Sequence, residues 1–112
     1  MHEFAEVRAI IAQACSRIAP GTHIARLTLI IGEASGHSVD HIESHFLEAA
    51  RGTPAEGATL HFVAERLAAQ CVNCGTGFRS EELALTCGRC GGTELRITAG
   101  KDVRLAGVEV KG

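Results

Sequence analysis

The chain has 112 residues, enough for one domain and a small appended module. Apolar residues make up 46% of it, yet it has no Trp, no Tyr and only four Phe, so its core must be built from Ile, Leu, Val and Ala. A formal net charge of −2, with both signs interspersed, argues against a broad polyanion-binding surface, and no apolar run approaches membrane-spanning length.

The opening segment carries Glu3, Glu6 and Arg8 where a secretory signal would need an uninterrupted apolar stretch, so a soluble, cytoplasmic protein is expected. From Phe4 to Ala19, the residues Phe4, Val7, Ile11, Ala14 and Ile18 recur at helical spacing, and Pro20-Gly21 should end that helix. Ile24–Ile31 reads as a strand with Leu27, Leu29 and Ile31 on one face and Arg26 and Thr28 on the other. After a turn at Gly32–Gly36, Ser38 is placed to cap a second helix running to about Arg51, with Val39, Ile42, Phe46 and Ala50 as its buried stripe. A loop at Gly52–Gly57 leads into a second strand, Ala58–Arg66, which puts Leu60, Phe62 and Ala64 on one face.

The texture changes near Ala68, where Cys and Gly replace long aliphatic residues. Val103–Val110 returns to strand character and is expected to rejoin the first sheet. The predicted fold is therefore α/β: a small two-helix, three-stranded domain formed by residues 1–67 and 103–112. A four-cysteine, zinc-ribbon-like module occupies residues 68–102.

Within that module, Cys71-Val72-Asn73-Cys74 and Cys87-Gly88-Arg89-Cys90 form C-x2-C-x12-C-x2-C. Two intervening residues let both sulfurs of a pair turn toward one ion, and a second pair completes the closed tetrahedron of a structural zinc site. Gly75 and Gly91 follow the second cysteine of each pair, where the turning chain tends to need positive φ. A redox dithiol or an iron centre are the other readings of this spacing. The segment is too short for an apolar core of its own, so metal binding should supply much of its folding free energy. An odd cysteine count with two tight pairs also suits a reducing compartment better than a disulfide framework. Arg79, Arg89 and Arg96 are offset by Glu81, Glu82 and Glu94, and Phe78 is the only aromatic residue of the segment. That composition weighs against a zinc-ribbon nucleic-acid-binding module, the alternative function for paired cysteines. Four thiolates leave no open position for a substrate, and no catalytic constellation is readable elsewhere, so the chain is not expected to be an enzyme.

Met1-His2 offers a second set of donors. The amine of Met1, the amide nitrogen of His2 and its imidazole Nδ1 can close fused five- and six-membered rings around one ion. An all-nitrogen, tetragonal environment suits Ni(II) or Cu(II). A fourth position stays open for Glu3, water, another His or a partner, as ready release requires. Any chain beginning Met-His has these donors, so the dipeptide alone also fits an ordinary terminus.

Taken together, Met1-His2-Glu3, the strand-turn Ile31-Gly32-Glu33-Ala34-Ser35-Gly36, the segment Glu56-Gly57-Ala58 and the two Cys-x-x-Cys-Gly units before an Ile/Val-rich tail resemble the HypA/HybF family of hydrogenase nickel-incorporation proteins. The resemblance spans essentially the whole chain. It departs at Gly88, where the family often has Pro, and at Phe4-Ala5-Glu6-Val7, which replaces a more usual Met-Ser- or Leu-Ser-containing start. It implies Ni2+ on His2 and the Met1 amine, with Glu3 supporting the site or its handover. It implies structural Zn2+ on Cys71, Cys74, Cys87 and Cys90. It also implies a nickel metallochaperone that makes no covalent change to a substrate, with a HypB-type GTPase as partner and a NiFe-hydrogenase large-subunit precursor as recipient. Neither nucleic acid nor membrane is an expected partner.

His37, His41 and His45 are spaced by four and should form an exposed polar face opposite the Val39/Ile42/Phe46 stripe; they are also the candidates for a fourth nickel ligand from this chain. His23 and His61 read as structural or solvent-facing. Cys15 reads as a small core residue of the first helix. Glu33 reads as structural or partner-facing.

Overall fold

A computed structural model of the chain describes residues 2–79 and 86–112, with only the backbone of residues 2 and 3. Its elements are α1 (His2–Ser16), β1 (Ile24–Gly32), α2 (Val39–Ala49), β2 (Thr59–Glu65), β3 (Ala68–Cys71), β4 (Gly77–Arg79), β5 (Leu95–Ala99) and β6 (Val103–Val110). They form two three-stranded sheets, ordered β2-β1-β6 and β4-β3-β5. The C-terminal strand therefore rejoins the first sheet, as expected, and lies beside β1. No helix among the described residues is long and apolar enough to cross a membrane.

Contacts divide the chain into two units: residues 1–30, 37–63 and 103–112, and residues 31–36 and 64–102. The core of the first unit is aliphatic apart from Phe46. Val7, Ile10, Ile11 and Ala14 of α1 are buried with Ile24, Leu27 and Leu29 of β1 and Ile42 and Phe46 of α2. The α1 stripe thus includes Ile10. The helix stops at Ser16, three residues short of the predicted end. There its last turn tightens, with Arg17 N–H donating to the Ala14 carbonyl at 3.1 Å and the Ser16 hydroxyl to Gln13 O at 2.7 Å.

Ser38 caps α2 as its position predicts: its hydroxyl accepts from His41 N–H at 3.2 Å. Ile42, Phe46 and Ala50 form the buried stripe, but Val39 is 37% exposed because it sits on the first helical turn. The histidine row also departs from expectation. His41 is exposed, but His45 is half-buried, edge-on to the Phe4 ring at 5.7 Å between centroids. His37 is half-buried too, with Nε2 2.8 Å from Glu6 Oε2. Helical geometry gives the reason. At 3.6 residues per turn a spacing of four advances by about 40°, so His41 stands about 100° from Ile42 and His45 only about 60°.

On β2, Leu60 and Phe62 are half-buried and Ala64 is exposed. Ala64 belongs to the second unit, as does Ile31, which is half-buried where Leu27 and Leu29 are buried. Cys15 is half-buried and lines an open depression with Arg8, Ile11 and Pro54; it is not in the closed core.

In the second unit, β3 is the central strand. It pairs antiparallel with β4 (Ala69 opposite Phe78) and with β5 (Cys71 opposite Leu95), with an irregularity between Ala68 and Ala69. The turn after β1 is stitched to the chain that enters β3 and to the chain that leaves β5, at the end of this sheet where Ala68 pairs with Ala99. Glu33 N–H donates to Glu65 O, and Glu33 Oε2 accepts from Leu67 N–H at 2.9 Å. Ala34 N–H reaches Gly100 O, and Gly100 N–H donates to Glu65 Oε1 at 2.9 Å. Glu33 is a backbone clamp.

Candidate metal centres

The two cysteine pairs fold as matching hairpins. Gly75 N–H donates to Cys71 O at 2.9 Å and Gly91 N–H to Cys87 O at 2.8 Å. Cys71 N–H returns to Thr76 O and Cys87 N–H to Gly92 O, at 2.8 and 2.7 Å. Each turn needs a left-handed residue after its second cysteine, and Gly75 and Gly91 supply φ of +80° and +78°. The first cysteine of each pair is buried and the second is exposed.

The four sulfurs lie within 4.8 Å of one another; among the described residues they are the one convergent group of potential metal-ligating side chains. Cys71 Sγ is 3.6 Å from Cys90 Sγ, and Cys74 Sγ is 3.7 Å from Cys87 Sγ. A tetrahedron with zinc–sulfur bonds near 2.3 Å has edges of about 3.8 Å. The donor set therefore fits zinc in both chemistry and size. No nitrogen or carboxylate donor joins it among the described residues.

Hydrogen bonds pull the thiols in opposite directions. The Thr76 hydroxyl, 3.1 Å from Cys74 Sγ, and then the Thr76 N–H lower the Cys74 thiol to about 6. Cys90 is lowered first by Gly92 N–H and then by the Asn73 amide and the Cys71 thiol. At Cys71 the Cys74 N–H is the largest single influence and acts downward, but burial and the thiols of Cys90 and Cys74 push it up to about 11. A divalent cation would replace the remaining proton as the compensating positive charge.

At the other end of the chain, α1 begins at His2. The first N–H groups of a helix have no intrahelical acceptor, so the His2 amide can serve as a ligand without breaking a helical hydrogen bond. Met1 and the side chains of His2 and Glu3 lie outside the described residues, as do Glu81 and Glu82. Of the three spaced histidines, His45 and His37 lie against Phe4 and Glu6 in the first turns of α1, and His41 does not. His23 and His61 are exposed.

Residues 1–110 match the family described as HypA, hydrogenase/urease nickel incorporation, metallochaperone. The chain belongs to the HypA family. It is similar to the hydrogenase maturation factor HypA of Aeromonas hydrophila, at 34% identity over 112 residues, covering 98% of this chain and 99% of that one. The factor of the same name from Rippkaea orientalis is 34% identical over 116 residues, covering 99% and 96%. In three dimensions the chain resembles the solution structure of the Ni metallochaperone HypA from Helicobacter pylori, with a TM-score of 0.73, 26% identity and coverage of 96% and 95%. The HypA family thus accounts for the α/β fold and the four-cysteine module together.

Proposed function

We propose that this chain binds Ni(II) through the Met1 amine and the His2 amide and imidazole, with Glu3 assisting. It delivers the ion to a NiFe-hydrogenase large-subunit precursor in the cytoplasm. Zinc on Cys71, Cys74, Cys87 and Cys90 has a structural role: four thiolates close the coordination sphere and hold residues 68–102 in shape. Residues 1–67 and 103–112 carry the nickel. A GTPase of the HypB type is the partner that couples release to a nucleotide cycle, and the recipient receives nickel by ligand exchange with no covalent chemistry.

The family match over residues 1–110 carries this reading. The structure supports it through the donor set of the cysteine cluster and through a helix that starts at His2, where the first amides have no intrahelical acceptor. The positive end of the α1 dipole also works against a bound cation, which favours release over retention. The test is made in the source organism at limiting nickel. Deleting the gene should abolish hydrogenase activity, excess nickel should restore part of it, and a His2→Ala copy should fail to complement. Full activity in the deletion strain at low nickel would refute the proposal.

A further inference from the structure

The backbones of the two cysteine hairpins repeat each other, but their side chains do not. The first hairpin has Asn73 before its second cysteine and Thr76 two residues after it; the second has Arg89 and Gly92 at those places. Among the described residues, the non-cysteine side chains that reach the sulfurs come from the first hairpin. The Thr76 hydroxyl contacts Cys74 Sγ in its own hairpin at 3.1 Å. The Asn73 amide crosses to the other hairpin and donates to Cys90 Sγ at 3.6 Å. These two sulfurs belong to the exposed cysteines, whereas Cys71 and Cys87 are buried.

Gly92 makes the crossing possible. A Cβ at that position would lie 3.3 Å from Asn73 Cβ, 3.3 Å from Cys90 Sγ and 3.5 Å from Cys71 Sγ. A side chain there would compete with Asn73 for the space beside the Cys90 sulfur. Gly92 also contributes its own N–H to Cys90 Sγ at 3.4 Å. The empty position on the second hairpin and the donor on the first thus fit one another.

We propose that Asn73 is a positioning residue of the zinc centre: reaching over Gly92, it clasps the second hairpin and shields the Cys90 thiolate. Thr76 does the same for Cys74. An N–H or O–H donated to a metal-bound thiolate draws off part of its charge, lowering its nucleophilicity toward an electrophile and its tendency to leave the metal. Burial protects Cys71 and Cys87, and side-chain donors protect the two sulfurs that water can reach. Such a centre stays closed in a chain whose other site must exchange its ion. The inference rests on zinc occupying the four cysteines.

The test uses full-length, zinc-loaded protein, with zinc content measured first. Protein and variants are treated with iodoacetamide, and alkylation is followed at each cysteine by peptide mass spectrometry. Asn73→Asp keeps the shape of Asn73 but has no N–H to give. It should speed alkylation of Cys90 by about three- to tenfold and leave Cys74 unchanged. Thr76→Val should show the reverse selectivity. Cobalt-substituted samples should keep a four-thiolate charge-transfer spectrum in both variants, which separates a lost donor from a lost fold. If Asn73→Asp protein binds zinc and its Cys90 reacts at the wild-type rate, the shielding role is overturned. Wild-type protein without stoichiometric zinc would instead refute the zinc reading beneath it.

Discussion

Gly32 and Gly107 both lie in the sheet β2-β1-β6, yet replacing each with alanine should have very different effects. A Cβ at Gly32 would run into the carbonyl carbon and oxygen of Gly100 and lie 2.8 Å from Asp102 O. These are backbone atoms, so no flexible side chain can move aside. The approach is held by the hydrogen bonds Gly32 N–H to Asp102 O and Ala34 N–H to Gly100 O, both 2.8 Å. Gly100 cannot retreat easily: it has φ +83° and its own Cβ position faces Arg66 O and Leu67 Cα at 2.7 Å. Overpacking of this kind costs about 1–3 kcal/mol, and weakening two hydrogen bonds adds about 1 kcal/mol. Gly32→Ala should therefore destabilise by about 2–4 kcal/mol, a fall in Tm of roughly 8–16 °C at this chain length. At Gly107 the nearest atom to a Cβ is Thr28 Cβ at 3.9 Å, an ordinary contact, and its φ is not positive. Gly107→Ala should be neutral or stabilise by about 0.5 kcal/mol by restricting the unfolded chain. Thermal and urea unfolding of the zinc-saturated proteins checks both. Gly32→Ala within about 0.5 kcal/mol of wild type would refute the close-approach argument.

Ser38→Ala removes the acceptor for His41 N–H and should cost about 1 kcal/mol in urea unfolding, whereas Ser38→Asp should keep most of it. Zinc affinity should depend on pH in a defined sense. With its thiol raised to about 11, Cys71 is protonated at pH 7–9 in the metal-free protein, and that proton must leave as the ligand forms. Affinity should then climb by at least about tenfold per pH unit over that range. Below about 6, Cys74 also takes up a proton and the dependence should steepen. Competition titrations against a chelator of known pH dependence measure the slope, and a flat profile would show that Cys71 loses no proton on binding, contrary to its raised thiol.

The elements that depend on local pattern were legible in the sequence. The spacing of Ile42, Phe46 and Ala50 gives the buried face of α2, Ser38 gives its start, and the Cys-x-x-Cys-Gly units give both hairpins with their positive-φ glycines. What remained hidden depends on partners distant in the chain. Glu33 carries no local sign of its acceptor role, because the N–H it receives is that of Leu67, 34 positions on. The strands of the sheet β4-β3-β5 are three to five residues long, too short for alternation to declare them. The row His37, His41 and His45 looks uniform in sequence, but helical drift and the contacts with Glu6 and Phe4 separate its members. The crossing of Asn73 to Cys90 arises only when the two hairpins are brought together.

Nickel binding at the N-terminus is tested by titrating Ni(II) into untagged, zinc-loaded protein that retains the amine of Met1, beside a His2→Ala variant. An N-terminal tag would block the amine, so the terminus must be native. The wild type should bind one nickel per chain, read by calorimetry and by the absorption of a tetragonal nitrogen site, with loss of that binding in His2→Ala and no change in zinc content. Nickel binding of undiminished affinity in the variant would contradict this and move the site to other residues, with His37, His41 and His45 the first to be substituted.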